Sequence, residues 1–297
     1  MSAGFTRAHA AILACSLLFA TGGAAIKACS LAAWQVAGFR SGIAAVVLVL
    51  LVPAARQVSA PILIVAASYA GTLISFVLSN KMTTAAHAVF LQAAAPIYVV
   101  FLERWLLGTR LSRRDVPVLA LVAVGIALLF VGSGTSTATA PDPARGNAIA
   151  ILSGVFYAGM LVGLRWLAER TPRPGAAAAS AVWGNALAFA ISLPMALPVV
   201  GATTQDWLVL GYLGTFQIGL AYYLISRAVR TVSALDTALL LLLEPVLNPI
   251  LVWWLHGETL RPIAIAGAAL VLAATAWRTL AAPQPDGQTL AQPVQEA

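Results

Sequence analysis

The chain has 297 residues, of which 61% are apolar and only 9% charged, with a net charge of +7. Soluble domains carry charge on about a quarter of their residues, and a chain of this size cannot hide so much apolar surface in one core. The composition excludes a soluble enzyme, a disordered protein and a secreted disulfide module, and leaves a polytopic membrane protein.

A helix needs about 20 mainly apolar residues to cross a bilayer. Ten such segments are predicted in chain order: 8–28, 33–53, 60–80, 86–107, 115–133, 146–168, 176–199, 206–229, 235–256 and 262–281. They are too long for barrel strands and lack two-residue alternation. Residues 134–145 form a Gly/Ser/Thr/Pro-rich linker between a first unit, 8–133, and a second, 146–281. Residues 282–297 are polar, contain Pro283, Pro285 and Pro293, and are expected to be a disordered cytoplasmic tail.

The basic excess sits in short loops between apolar runs, which points to membrane orientation and away from a nucleic-acid partner. With the N-terminus inside, Arg7, Arg56, Arg104, Arg110, Arg113, Arg114, Arg165, Arg170, Arg173, Arg227, Arg230 and Arg278 lie at inner ends. Only Lys27, Lys81, Arg145 and Arg261 lie outside. Both termini are therefore expected in the cytoplasm of a cell whose inner membrane holds the chain. A cleaved signal peptide over 7–26 is the competing reading, and it leaves nine helices. Cys15 and Cys29 make no zinc site, and fourteen helical residues would hold them about 20 Å apart, too far for a disulfide.

The halves resemble each other at a constant offset of 149 residues in their last two helices: Pro96 with Pro245, Leu107-Gly108 with His256-Gly257, Leu111 with Leu260, and Gly125 with Ala274. Five helices per unit is an odd number, so the second unit is expected upside down relative to the first. Inverted repeats are typical of secondary transporters, which bind substrate near the midplane where the repeats meet. The expected fold is an all-α membrane protein with ten transmembrane helices, arranged as two inverted five-helix repeats around a central cavity. Such a fused pair can work as a monomer.

The run Glu244-Pro245, a dozen apolar positions, then Gly257-Glu258-Thr259-Leu260 resembles the close of an EamA repeat of the drug/metabolite transporter superfamily. Arg40, in Gly38-Phe39-Arg40-Ser41, is similar to the arginine near the start of that family's second helix. The resemblance implies a ten-helix exporter of small metabolites working by alternating access, and the Trp- and Tyr-rich composition is most similar to YddG-type exporters of aromatic and other neutral amino acids. Thr109 stands where the first repeat would carry the family's glutamate.

Glu244 falls near mid-membrane, where an ionised carboxylate is costly unless paired. Pro245 and Pro249 kink its helix by removing backbone donors, and Asn248 shares its face one turn on. Glu244 is either functional or a structural partner of Arg40. Arg40 either holds a substrate carboxylate bidentately or is fixed on a carbonyl or on Glu244. Gln92, Pro96 and Tyr98 share the fourth helix, whose polar face is expected at the cavity, with an interhelical hydrogen bond as the alternative for Gln92. Phe19, Tyr157, Trp183 and Tyr222 lie inside spans and either stack on substrate or fill the bundle. His87 and Asp236 are candidate proton carriers, or an interfacial residue and a helix cap. Ser68, Thr72, Ser75 and Ser79 form a small-polar stripe read as packing, as are Gly159 and Gly163.

No enzyme constellation is present: His256-Gly257-Glu258 is not HExxH, and there is no Walker lysine loop. No catalytic residue, metal or cofactor is expected. The expected activity is secondary export of aromatic and other neutral amino acids, or similar small metabolites. The alternative is a proton-coupled cationic multidrug exporter that uses Glu244.

Overall fold

The computed structural model describes residues 7–107, 115–132, 137–170, 175–228, 240–241 and 243–281. Asp236, Thr109 and the tail 282–297 lie outside them, as does residue 242 within the ninth predicted span. The described residues are helical with short connections, and contain no strand.

The first predicted span is two helices, α1 (Arg7–Ala20) and α2 (Gly22–Ala28). They join at Thr21, whose hydroxyl donates to Leu18 O at 2.7 Å and draws the backbone out of register. α3 (Ala33–Leu51) starts where Gln35 Oε1 accepts from Ala32 N at 3.0 Å. A 3-10 turn, Pro53–Arg56, leads to α4 (Ala60–Met82), with Pro61 in its first turn, where a missing donor costs nothing. The fourth predicted span is also divided, into α5 (Ala85–Ala93) and α6 (Ala95–Leu107), because Pro96 has no N–H to continue the ladder past Ala94. α5 is capped by Thr84, whose hydroxyl accepts from His87 N at 3.2 Å.

α7 (Asp115–Val131), α8 (Pro143–Arg170) and α9 (Ala176–Ala196) follow. The eighth predicted span becomes α10 (Thr204–Tyr212), a π-helical stretch Leu213–Leu220 and α11 (Ala221–Ala228). α10 opens on a reciprocal cap: Thr203 Oγ1 accepts from Asp206 N at 3.2 Å, and the Asp206 carboxylate accepts from Thr203 N at 2.9 Å. α12 (Leu243–His256) and α13 (Pro262–Ala281) close the described chain.

Among the described residues six helical runs are long and apolar enough to cross a membrane: Arg7–Ala28, Ala33–Leu51, Ala60–Met82, Pro143–Leu164, Ala176–Ala196 and Thr204–Ile225. Shorter apolar helices cover Ala85–Val99, Val116–Val131 and Pro262–Ala274. Large apolar side chains such as Val46, Leu50, Ile64, Trp105, Leu208 and Trp254 are exposed, which suits a lipid-facing surface and no other solvent.

Packing is dominated by α4 on α8 and α9, α3 on α9 and the π stretch, α7 on α13, α1 on α11 and α12, and α5 and α6 on α8. α7 lies close against α13. A Cβ on Gly125 would lie 2.8 Å from Gly267 O, and one on Gly267 would lie 2.7 Å from Gly125 O, so each glycine admits the other's backbone. The small-polar stripe of α4 packs as expected: Thr72 and Ser75 donate to Ser68 O and Gly71 O of their own helix, while Ser68 and Val65 face Gly159 and Gly163.

Candidate functional site

Five of the candidate side chains converge where α1, α3, α4, α8, α11 and α12 meet. The Phe19 ring lies edge-on to Tyr222, with centroids 5.4 Å apart, and Tyr222 lies 5.3 Å from Tyr69. Arg40 is within electrostatic range of both tyrosines. Glu244 is within range of Tyr157, Tyr222 and Cys15. Phe19, Tyr157, Tyr222 and Glu244 are half-buried, so the cluster retains accessible faces.

Arg40 is 1% exposed, and Nη2 donates to Leu73 O at 3.1 Å. This is the carbonyl anchor allowed by the sequence. Nε is buried with no hydrogen-bond partner among the described residues, and no described carboxylate lies within ion-pair distance. Of the two partners the sequence offered, the carbonyl is used and Glu244 is not. A buried guanidinium held by one carbonyl keeps most of its five donors for another acceptor.

Tyr69 is the cluster member the sequence reading missed. It sits among Ser68, Thr72 and Ser75, a stripe whose pattern points to packing. The signal lies on the facing helix: Gly184 leaves space that Tyr69 fills, since a Cβ there would be 2.6 Å from the Tyr69 Cβ.

Other candidates are placed differently. Asn248 is buried and donates to Ala20 O at 3.0 Å, tying α12 to α1 directly beside Phe19. Pro245 is buried one position after Glu244. Gln92 donates to Ser153 Oγ at 2.8 Å, and Ser153 donates to Thr72 O at 3.3 Å, so Gln92 makes the interhelical bond that was its alternative reading. Tyr98 packs on Gly154 of α8. Trp183 donates to Gln57 O at 3.0 Å and lines a lateral groove with Val49 and Arg56. The side chain of Pro96 lies outside the described residues. His87 has both ring nitrogens engaged, Nδ1 with Thr84 Oγ1 at 2.6 Å and Nε2 with Leu129 O at 3.1 Å, as a structural residue does. Cys29, between spans, is buried, which pushes its thiol up to about 11 and leaves it a poor nucleophile.

One end of the bundle, the linker end, gathers residues 28–32, 82–85, 137–142, 197–203 and 257–261. There Lys27 pairs with Glu258 at 3.1 Å, and Asp206 accepts from Ser30 N at 2.6 Å and Ser30 Oγ at 2.8 Å. Lys81 donates to Cys29 O. Gln35 donates to Ala196 O at 3.1 Å.

Residues 6–131 and 144–279 each match the EamA-like transporter family. The chain belongs to the EamA-like transporter family. This EamA protein is thus a multi-pass membrane transporter of small molecules in a lipid bilayer, from a family of transporters and not enzymes. Comparison with curated proteins finds no match. A crystal structure described only as that of a protein is similar at a TM-score of 0.62 and 20% identity, over 92% of the EamA chain and 96% of its own. At that identity the likeness shows the fold alone.

Proposed function

We propose that this EamA protein exports aromatic and other neutral amino acids across the inner membrane by alternating access, as the YddG-type exporters it resembles do. Its ten helices form two inverted repeats, both termini are cytoplasmic, and the monomer is the working unit. Support for the repeat comes from packing that is preserved when each helix is exchanged for its counterpart: α4 with α8 answers α11 with α1, and α5 and α6 with α8 answer α12 with α1.

The observation that carries the substrate class is Arg40. A buried cation with no carboxylate partner among the described residues is costly in a bilayer interior, and a substrate carboxylate supplies the missing acceptor. Phe19 and Tyr222, backed by the buried Tyr69, offer ring edges and faces to the side chain of that substrate. In the mechanism the two repeats rock about this cluster. The zwitterion enters from the cytoplasm, its carboxylate takes the free donors of Arg40, and the bundle then closes behind it and opens outward.

The test is counterflow of labelled tryptophan in proteoliposomes, competed by unlabelled tryptophan or by tryptamine, which lacks only the carboxylate. Tryptophan is expected to compete and tryptamine not, and Arg40→Gln is expected to lower tryptophan flux by about tenfold or more. Equal competition by the two, or unchanged flux in Arg40→Gln, overturns the assignment.

A further inference from the structure

The linker end holds a device that the substrate site does not need. Lys27 and Glu258 are separated by most of the chain, yet their side chains are 4% and 5% exposed and pair at 3.1 Å. Lys27 Nζ also donates to Thr83 O at 2.8 Å and to Thr139 O, so the ammonium is held between the carboxylate and two carbonyls. Glu258 uses its second oxygen to accept from Ala85 N at 2.9 Å, at the start of α5. One residue earlier, Gly257 adopts φ +67°, which a side-chain-bearing residue rarely takes, and this turns the chain so that Glu258 points back into the bundle. Beside it His256 Nε2 meets Ala24 O at 2.8 Å. The pair thus joins the end of α2, the α4–α5 junction, the linker and the α12–α13 junction, drawing on both family-matched segments.

A transporter that alternates must separate these elements to open this end. Among the described residues the other ion pair, Asp142 with Arg145, is exposed and joins neighbours in sequence. We propose that the Lys27–Glu258 pair is the lock of the linker-end gate, holding the resting protein closed at that end. This rests on the alternating-access reading above. Once either partner is neutralised, the remaining buried charge favours a state in which water reaches it.

The test reads gate opening without any substrate. In full-length protein with Cys15→Ala and Cys29→Ala, reconstituted in nanodiscs, Val252→Cys reports access to the space beneath the lock. Val252 is 1% exposed and packs with Ala24 and Ala85. Ala268→Cys, buried in a separate apolar cluster with α7 residues, is the control. The rate of modification by a charged methanethiosulfonate reagent is measured in each. Glu258→Gln, which keeps the acceptor for Ala85 N, and Lys27→Met are each expected to raise labelling at 252 by about tenfold or more and leave 268 unchanged. The double variant leaves no unpaired buried charge, and its labelling at 252 is expected to fall below that of either single variant. Unchanged labelling at 252, or an equal rise at 268, overturns the lock. Because no flux is measured, a failure here is distinguishable from a wrong substrate class, which the tryptophan and tryptamine experiment reports.

Discussion

Arg40, Phe19, Tyr157, Tyr222 and Glu244 were legible as candidates because each interrupts an apolar span with a group that must be satisfied or stacked. Tyr69 was not: its neighbours carried a packing pattern, and only the glycine on the facing helix shows that a large ring belongs there. Lys27 and Glu258 were read singly, as an orientation charge and part of a motif, since nothing local in sequence reports a contact across the whole chain. Under the proposed function Arg40 binds the substrate carboxylate, and Glu244 shapes the cluster without exchanging charge. Glu244→Gln is therefore expected to leave tryptophan counterflow within about twofold of the parent, since among the described residues no buried charge pair involves it. Loss of tryptophan flux in that variant counts against this division of roles. Tyr222→Leu is expected to weaken tryptophan competition about threefold to tenfold while changing threonine competition little, the size of one aromatic contact. Equal effects on both amino acids would make Tyr222 a filler.

Helix positions followed directly from apolar run length, because a bilayer leaves the backbone no alternative to internal hydrogen bonds. Interruptions inside the runs were harder to read. Pro96 signals the break at Ala94, but the break at Thr21 depends on one hydroxyl competing for Leu18 O, and the π stretch at Leu213–Leu220 has no marker of comparable strength. Both interruptions flank the cluster: Thr21 bonds the Tyr212 hydroxyl at 2.8 Å, two residues from Phe19 and just before the π turn. The α7–α13 pair is a different kind of element, distant from the polar cluster and held by glycine-to-carbonyl contact. Gly125→Val is expected to lower the thermal midpoint by an overpacking cost of about 1–3 kcal/mol. Below that midpoint its tryptophan KM is expected to equal the parent's, since α7 and α13 brace the bundle without touching the cluster. A changed KM with an unchanged midpoint would place α7 in the transport path.

For the whole molecule, the 149-residue correspondence and the exchange of helix contacts support one design: two similar units that meet at a polar and aromatic cluster and are tied at one end by a buried ion pair. Composition alone placed the chain in a membrane, and the family matches over 6–131 and 144–279 make it a transporter. The substrate is the part least legible in sequence, since the same cluster residues suit an amino acid held by Arg40 or a cation drawn to Glu244. What favours the first is geometric, a guanidinium with donors unused and no carboxylate at hand among the described residues. Efflux from proteoliposomes decides between the two most directly. Vesicles are loaded in parallel with labelled tryptophan, labelled threonine or a quaternary ammonium dye, and release is followed with and without a pH gradient. Release of both amino acids with retention of the dye is the predicted result. Gradient-driven release of the dye with retention of both amino acids would contradict it and make Glu244 the charge-exchanging group.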